Sequence, residues 1–185
     1  MWDIVGLDFL VAEQYDFYIA IGTCMEDAKV PSTEIGNPAR GFMGKHSCTL
    51  DGKNRLTIPK NFRRLVKEDA SGTRHLVVCR AKDHRNCLAL YTPDYFAGII
   101  ARLRALEPGA EKRRLIRFYS NESEQLRIDR VGRVQMPPDF LEVLGNAREL
   151  VVSGELDYME IWKAEDYRPV RDEALEGFYG GTFEP

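Results

Sequence analysis

The chain has 185 residues, 44% hydrophobic and 30% charged, with a formal net charge of −3. That is the balance of an ordinary globular protein with room for one domain or two small ones. No apolar run reaches the roughly 18–20 residues of a bilayer-spanning helix, and Asp3, Asp8, Glu13 and Asp16 interrupt the start where a secretory signal would be uncharged.

Charge is distributed unevenly along the chain. Residues 1–42 hold seven acids and two bases, so 24 bases face 22 acids in residues 43–185. That remainder is compatible with nucleic-acid binding without advertising it. Residues 1–42 are expected to be an acidic extension, disordered or the product of a misassigned start.

The next segment runs Leu50-Asp51-Gly52-Lys53-Asn54-Arg55-Leu56-Thr57-Ile58-Pro59 and is followed by Phe62. Cys48, Leu50, Leu56 and Ile58 alternate with Ser47, Thr49, Arg55 and Thr57, the pattern of a β-hairpin with one buried face. Asn54 stands where the turn needs a residue tolerant of positive φ. Pro59 is placed as a first helical residue, with Phe62, Leu65 and Val66 following at helical spacing. Leu76–Cys79 and Cys87–Tyr91 then predict a second strand pair, so residues 43–92 form one β-β-α-β-β unit.

Residues 93–119 predict a helical connector. Pro93 and Asp94 open a helix with an apolar stripe of Phe96, Ile99, Ile100, Leu103 and Leu106, and Pro108-Gly109 breaks it. A second helix over 110–119 carries Lys112, Arg113, Arg114 and Arg117. The arginine cluster suits a subunit or connector contact, simple solvation, or a DNA-facing patch. The stripe suits core or interface.

Residues 120–167 then repeat the first unit. Asp129, Arg133, Pro137 and Phe140 recur 78 residues after Asp51, Arg55, Pro59 and Phe62, and a four-point match at one offset marks an internal duplication. Leu126, Ile128, Val134 and Met136 alternate with polar neighbours, Gly132 takes the turn, Pro137 opens a helix and Gly145 closes it. Leu150–Ser153 and Tyr158–Trp162 complete the unit. One unit has too little core to stand alone, so the two are expected to pack together. Residues 168–185 are expected to be a flexible tail.

The two Asp-x-x-x-Arg hairpins, each with proline four residues past the arginine, together with Gly44, Leu88–Tyr91, Arg113-Arg114 and Ile161-Trp162, resemble the MraZ family. The likeness runs from about Phe42 to Tyr167. It implies an α+β, β-rich fold in which two tandem SpoVT/AbrB-like swapped-hairpin units form an intramolecular pseudo-dimer with a helical connector. It also implies a homo-oligomeric ring and a cytoplasmic, nucleoid-associated transcriptional regulator. Its partner would be double-stranded promoter DNA, at short direct repeats upstream of the division and cell-wall gene cluster, its own gene included. Asn54 departs from the family's usual turn glycine, and residues 1–42 and the tail have no family counterpart.

A two-stranded ribbon can enter the major groove. The resemblance makes Arg55 the first choice for DNA contact, with Lys53 in the turn and Arg133 in the second copy. Lys60, Arg63 and Arg64 could reach phosphates from the following helix or form a solvated helix face. The competing role for Arg55 and Arg133 is structural, each arginine pairing with Asp51 or Asp129 across its own turn. A ring-forming scaffold acting on a protein partner, with weak or no DNA binding, is the alternative function, favoured by Asn54 and the acidic leader.

Cys79, His84 and Cys87 lack the paired spacing of a zinc site, so Cys24, Cys48, Cys79 and Cys87 are taken as thiols, and no metal or cofactor is expected. No phosphate-loop, dinucleotide or nucleophile-elbow pattern occurs, so no catalytic residue, small-molecule substrate or membrane partner is assigned.

Overall fold

The computed structural model describes residues 41–81 and 86–180. In chain order these form β1 (Lys45–Thr49), β2 (Arg55–Thr57), α1 (Lys60–Arg63), β3 (Arg74–Arg80), β4 (Cys87–Tyr91), α2 (Pro93–Ala105), α3 (Ala110–Asn121), β5 (Ser123–Ile128), β6 (Arg133–Gln135), α4 (Pro138–Val143), β7 (Glu149–Gly154), β8 (Met159–Lys163) and α5 (Ala164–Tyr179). The fold is mixed α+β and rich in antiparallel strands. Nearly all of the extension expected at 1–42 lies outside the described residues.

Strands β3–β4 and β7–β8 pair as the sequence predicts. The two hairpins do not form as predicted. Each Asp-x-x-x-Arg segment turns the chain, but β1 pairs with β7 and β2 with β6. Likewise β5 pairs with β3 rather than with β6. The result is a six-stranded sheet in the order β1-β7-β8-β4-β3-β5 and a separate two-stranded ribbon of β2 and β6. The physical reason is that period-two alternation says which side chains are buried and leaves the partner strand open. Strands contributed by the opposite half satisfy the same N–H and C=O groups.

The main core lies between the ribbon and one face of the sheet. Leu56, Ile58, Val134 and Met136 from the ribbon segments meet Leu76, Val78, Leu88, Leu90, Val152 and Ile161 from the sheet, with Phe62 of α1 and Phe140 of α4 closing the ends. Phe62 packs edge-on against Phe42 and His46. A second cluster on the opposite sheet face joins Val77, Cys79, Ala89 and Tyr91 to Tyr95, Phe96 and Ile99 of α2 and to Phe118 and Tyr119 of α3. Covered on both faces, β4 is buried along its whole length.

Four helix boundaries differ from expectation. Pro59 and Pro137 are N-caps rather than first helical residues, with ψ of 139° and 146°; the ring that fixes φ suits that extended position too. Helix α3 runs to Asn121 rather than Tyr119. The tail expected from Arg168 continues instead as α5 to Tyr179, and residues 181–185 lie outside the described set. Gly145 takes the positive φ expected of it, at 60°.

Leu56 is fully buried and stands opposite Val134 across the ribbon. Leu56→Ala should therefore destabilise the chain by about 2–5 kcal/mol, measured by denaturant unfolding. A change confined to local turn mobility would show that the ribbon does not hold the halves together.

Candidate nucleic-acid interface

Each turn is built around one aspartate. Asp51 Oδ1 accepts from the backbone N–H of Lys53 at 2.8 Å and of Arg55 at 3.0 Å, while Oδ2 accepts from Arg55 Nε at 2.7 Å and pairs with its Nη2 at 2.7 Å. Asp129 repeats this with Val131 N, Arg133 N and Arg133 Nε, each at 2.9 Å, and with Arg133 Nη2 at 2.8 Å. A carboxylate has lone pairs for two amides and a guanidinium fork at once, which is why Asp and Arg four residues apart suit this turn. Asn54 and Gly132 both take positive φ, at 58° and 95°, which asparagine tolerates and glycine takes without steric cost.

The two turns are also fastened to each other's halves. Ile58 N donates to Gly132 O and Met136 N to Asn54 O, both at 3.0 Å. Gln135 Nε2 donates to Lys53 O at 2.9 Å and Arg63 Nη1 to Val131 O at 3.1 Å. Arg133 Nη1 lies 3.8 Å from Asp51 Oδ2, so both arginines and both aspartates form one charge-balanced network.

This geometry places the expected site residues as follows. Arg55 and Arg133 are committed to their turns, with side chains 29% and 27% exposed; that is the structural role set beside DNA contact above. Arg63 is half-buried, its guanidinium laid over Gly132 where a Cβ would collide with it, and its Nε is buried with no hydrogen-bond partner among the described residues. Lys53, Lys60 and Arg64 are exposed. So is Arg130, which sequence reasoning passed over; the offset of 78 could have found it, because Arg130 takes the place of Gly52 in the second turn. No ion pair or side-chain hydrogen bond among the described residues engages the side chains of Lys53, Lys60, Arg64 or Arg130.

The other clusters resolve differently. Lys112 Nζ donates to Arg104 O at 2.7 Å and Leu106 O at 2.6 Å, closing the end of α2, while Arg113, Arg114 and Arg117 are exposed, Arg114 standing 4.0 Å from Glu111. Cys79 and Cys87 are buried, and burial pushes the Cys79 thiol up to about 12. His84 lies outside the described residues, and among those described no group of His, Cys, Asp and Glu could hold a metal ion. Beside α4, Glu122, Glu124, Asp139 and Glu142 line an acidic groove with Arg80, which is paired to Glu122. No described helix is long and apolar enough to cross a membrane.

Residues 42–118 and 120–178 match the family model described as "MraZ protein, putative antitoxin-like". The chain belongs to the MraZ family. It is 31% identical over 138 residues to a "Transcriptional regulator MraZ" of Limosilactobacillus fermentum, covering 74% of this chain and 91% of that one. The MraZ regulator of Nocardia farcinica is 31% identical over 150 residues, covering 75% and 99%. That of Chlorobium phaeobacteroides is 35% identical over 126 residues, covering 68% and 84%. The two matched MraZ segments each contain one Asp-x-x-x-Arg turn.

Both turn carboxylates are held at about 2, below their ordinary 3.8, first by the backbone N–H of Arg55 or Arg133 and further by the arginine side chain and a second amide. A carboxylate depressed in the fold contributes stability above its unfolded value, near 4, that is lost as pH falls through about 2. Thermal melts should hold steady above about pH 5 and fall between about 4 and 2. Asp51→Asn with Asp129→Asn should lower the melting temperature at neutral pH and flatten that fall. Part of the slope should remain, because Asp69 is also held at about 2.

Proposed function

We propose that this chain is a sequence-specific DNA-binding transcriptional regulator that reads short direct repeats upstream of the division and cell-wall gene cluster, its own gene included. In this proposal each half is a SpoVT/AbrB-like swapped-hairpin unit, the tandem is an intramolecular pseudo-dimer, and copies assemble into a nucleoid-associated ring. The exchange of β1, β2, β5 and β6 between halves supports the first two points. Ring assembly rests on the family, and would raise avidity on repeated sites by making later contacts intramolecular.

The observation that carries the proposal is a pair of rigid turns beside a ribbon, with Lys53, Lys60, Arg64 and Arg130 exposed around them. The ribbon's outer positions are Arg55, Thr57, Arg133 and Gln135, opposite the buried Leu56 and Val134. Lys53, Lys60 and Arg64 act on phosphates, which position a protein on a duplex without reading its sequence. Arg55 and Arg133 serve the interface by holding the turns in shape. A guanidinium already bonded to Asp51 reaches a base only by giving up that pairing.

The competing scaffold role draws support from the same charge-balanced network and from the acidic groove, neither of which attracts a polyanion. A mobility-shift titration with the duplex upstream of the chain's own gene separates the two. Affinity should fall steeply with salt, and Lys60→Gln with Arg64→Gln should lower the slope of log affinity against log salt by about 1.8, at about 0.9 per phosphate contact. An unshifted duplex, with the protein still eluting as a large assembly, would favour the scaffold.

A further inference from the structure

We propose that the second turn carries a base-reading tip: the Val131 side chain takes the C5-methyl group of a thymine in the major groove, and Arg63 is the residue that positions it. The proposal rests on the DNA-binding function above and deepens it by naming what one side chain reads.

Val131 is 64% exposed, an apolar side chain at the tip of a polar turn. Its main chain is held on both sides. The N–H donates to Asp129 Oδ1 at 2.9 Å and the carbonyl accepts from Arg63 Nη1 at 3.1 Å. Arg63 comes from the other half of the molecule, and its guanidinium occupies the space that a Cβ at Gly132 would need. Fixing so long a side chain costs conformational entropy, and leaving its buried Nε without a partner costs more. Val131 itself points to solvent. The expense makes sense where the tip must sit at a fixed place.

The duplication supplies an internal comparison. At the same offset of 78, Val131 corresponds to Lys53, Arg130 to Gly52, Leu141 to Arg63 and Glu142 to Arg64. The first turn therefore presents an ammonium group on a backbone whose Lys53 carbonyl is held by Gln135 Nε2 at 2.9 Å, whereas the second presents two methyl groups on a backbone whose Val131 carbonyl is held by Arg63. The halves share one turn geometry and carry different chemistry at its tip. A lysine ammonium acts as a point charge suited to phosphate. A β-branched valine has little rotameric freedom to lose, and the thymine methyl is the apolar group that the major groove offers. Arg130, exposed beside Val131, supplies the charge that brings this tip to the duplex.

The test uses the full chain and the duplex it protects upstream of its own gene, with each thymidine in turn replaced by deoxyuridine, which removes one methyl group. Wild-type affinity should fall about fourfold at one or more positions, the loss expected for one buried methyl group. Val131→Ala, a surface change that should leave the fold intact by circular dichroism, should bind with the same salt slope and distinguish uracil from thymine there less than the wild type does. Arg63→Leu, which installs the residue of the other half, should lose the same discrimination while the protein stays folded.

Wild-type binding that is salt-dependent yet indifferent to every deoxyuridine would overturn the inference and leave the proposed function standing. Val131→Ala retaining full discrimination would overturn it as well. Arg63→Leu retaining discrimination would remove Arg63 from the positioning role. Failure of the wild-type chain to bind the duplex at all would remove both the function and the inference.

Discussion

Neither half of this chain can complete its own ribbon strand. The three residues of β2 find their hydrogen-bond partners in β6, 78 residues on, and the flanking amides of Ile58 and Met136 donate to the turn carbonyls of the opposite half. An unpaired backbone group in a buried strand costs as much as a lost hydrogen bond, so the two halves are obliged to fold together. The same exchange repeats in the six-stranded sheet, where β1 closes on β7 and β5 on β3. Core, sheet order and turn placement all follow from this obligation.

The exchange also decides how charge is presented. Two aspartates and two arginines are drawn together at the ribbon and neutralise one another, which rigidifies the turns and removes those arginines from the pool of exposed cations. What remains exposed nearby is contributed by positions that differ between the copies: Lys53, Lys60 and Arg64 in the first and Arg130 in the second. The corresponding helix of the second half carries Asp139 and Glu142 instead. A chain with net charge −3 can thus offer a basic surface at one place and an acidic groove at another, and the total hides both.

Much of the architecture was legible because it is local or repeated. The offset of 78 located both turns, alternation located the four strands that flank them, apolar segments located the other four, and Pro93, Asp94 and Pro108-Gly109 bounded α2. The partners of β1, β2, β5 and β6 were not legible, because alternation is blind to which strand lies alongside. The pairing of Arg55 with Asp51 was legible as one of two roles, and the sequence did not choose between them. A solvated arginine and one bonded to its own turn have the same sequence, and only the position of Asp51 Oδ2 separates them. The role of Arg63 was hidden for a different reason: its target, Val131, is 68 residues away along the chain. Helix α5 was missed because the family likeness ended at about Tyr167, within its first turn.

The proposed DNA-binding role requires that the ribbon end of the molecule be the face that meets DNA. Amide hydrogen exchange of the full chain, alone and with its upstream duplex, reads this directly. Exchange should slow on binding at Lys53, Asn54 and Val131 and along Lys60–Arg64, with little change in α2 and α3 on the opposite face of the sheet. Protection confined to the α2–α3 hairpin, with none at the two turns, would contradict it.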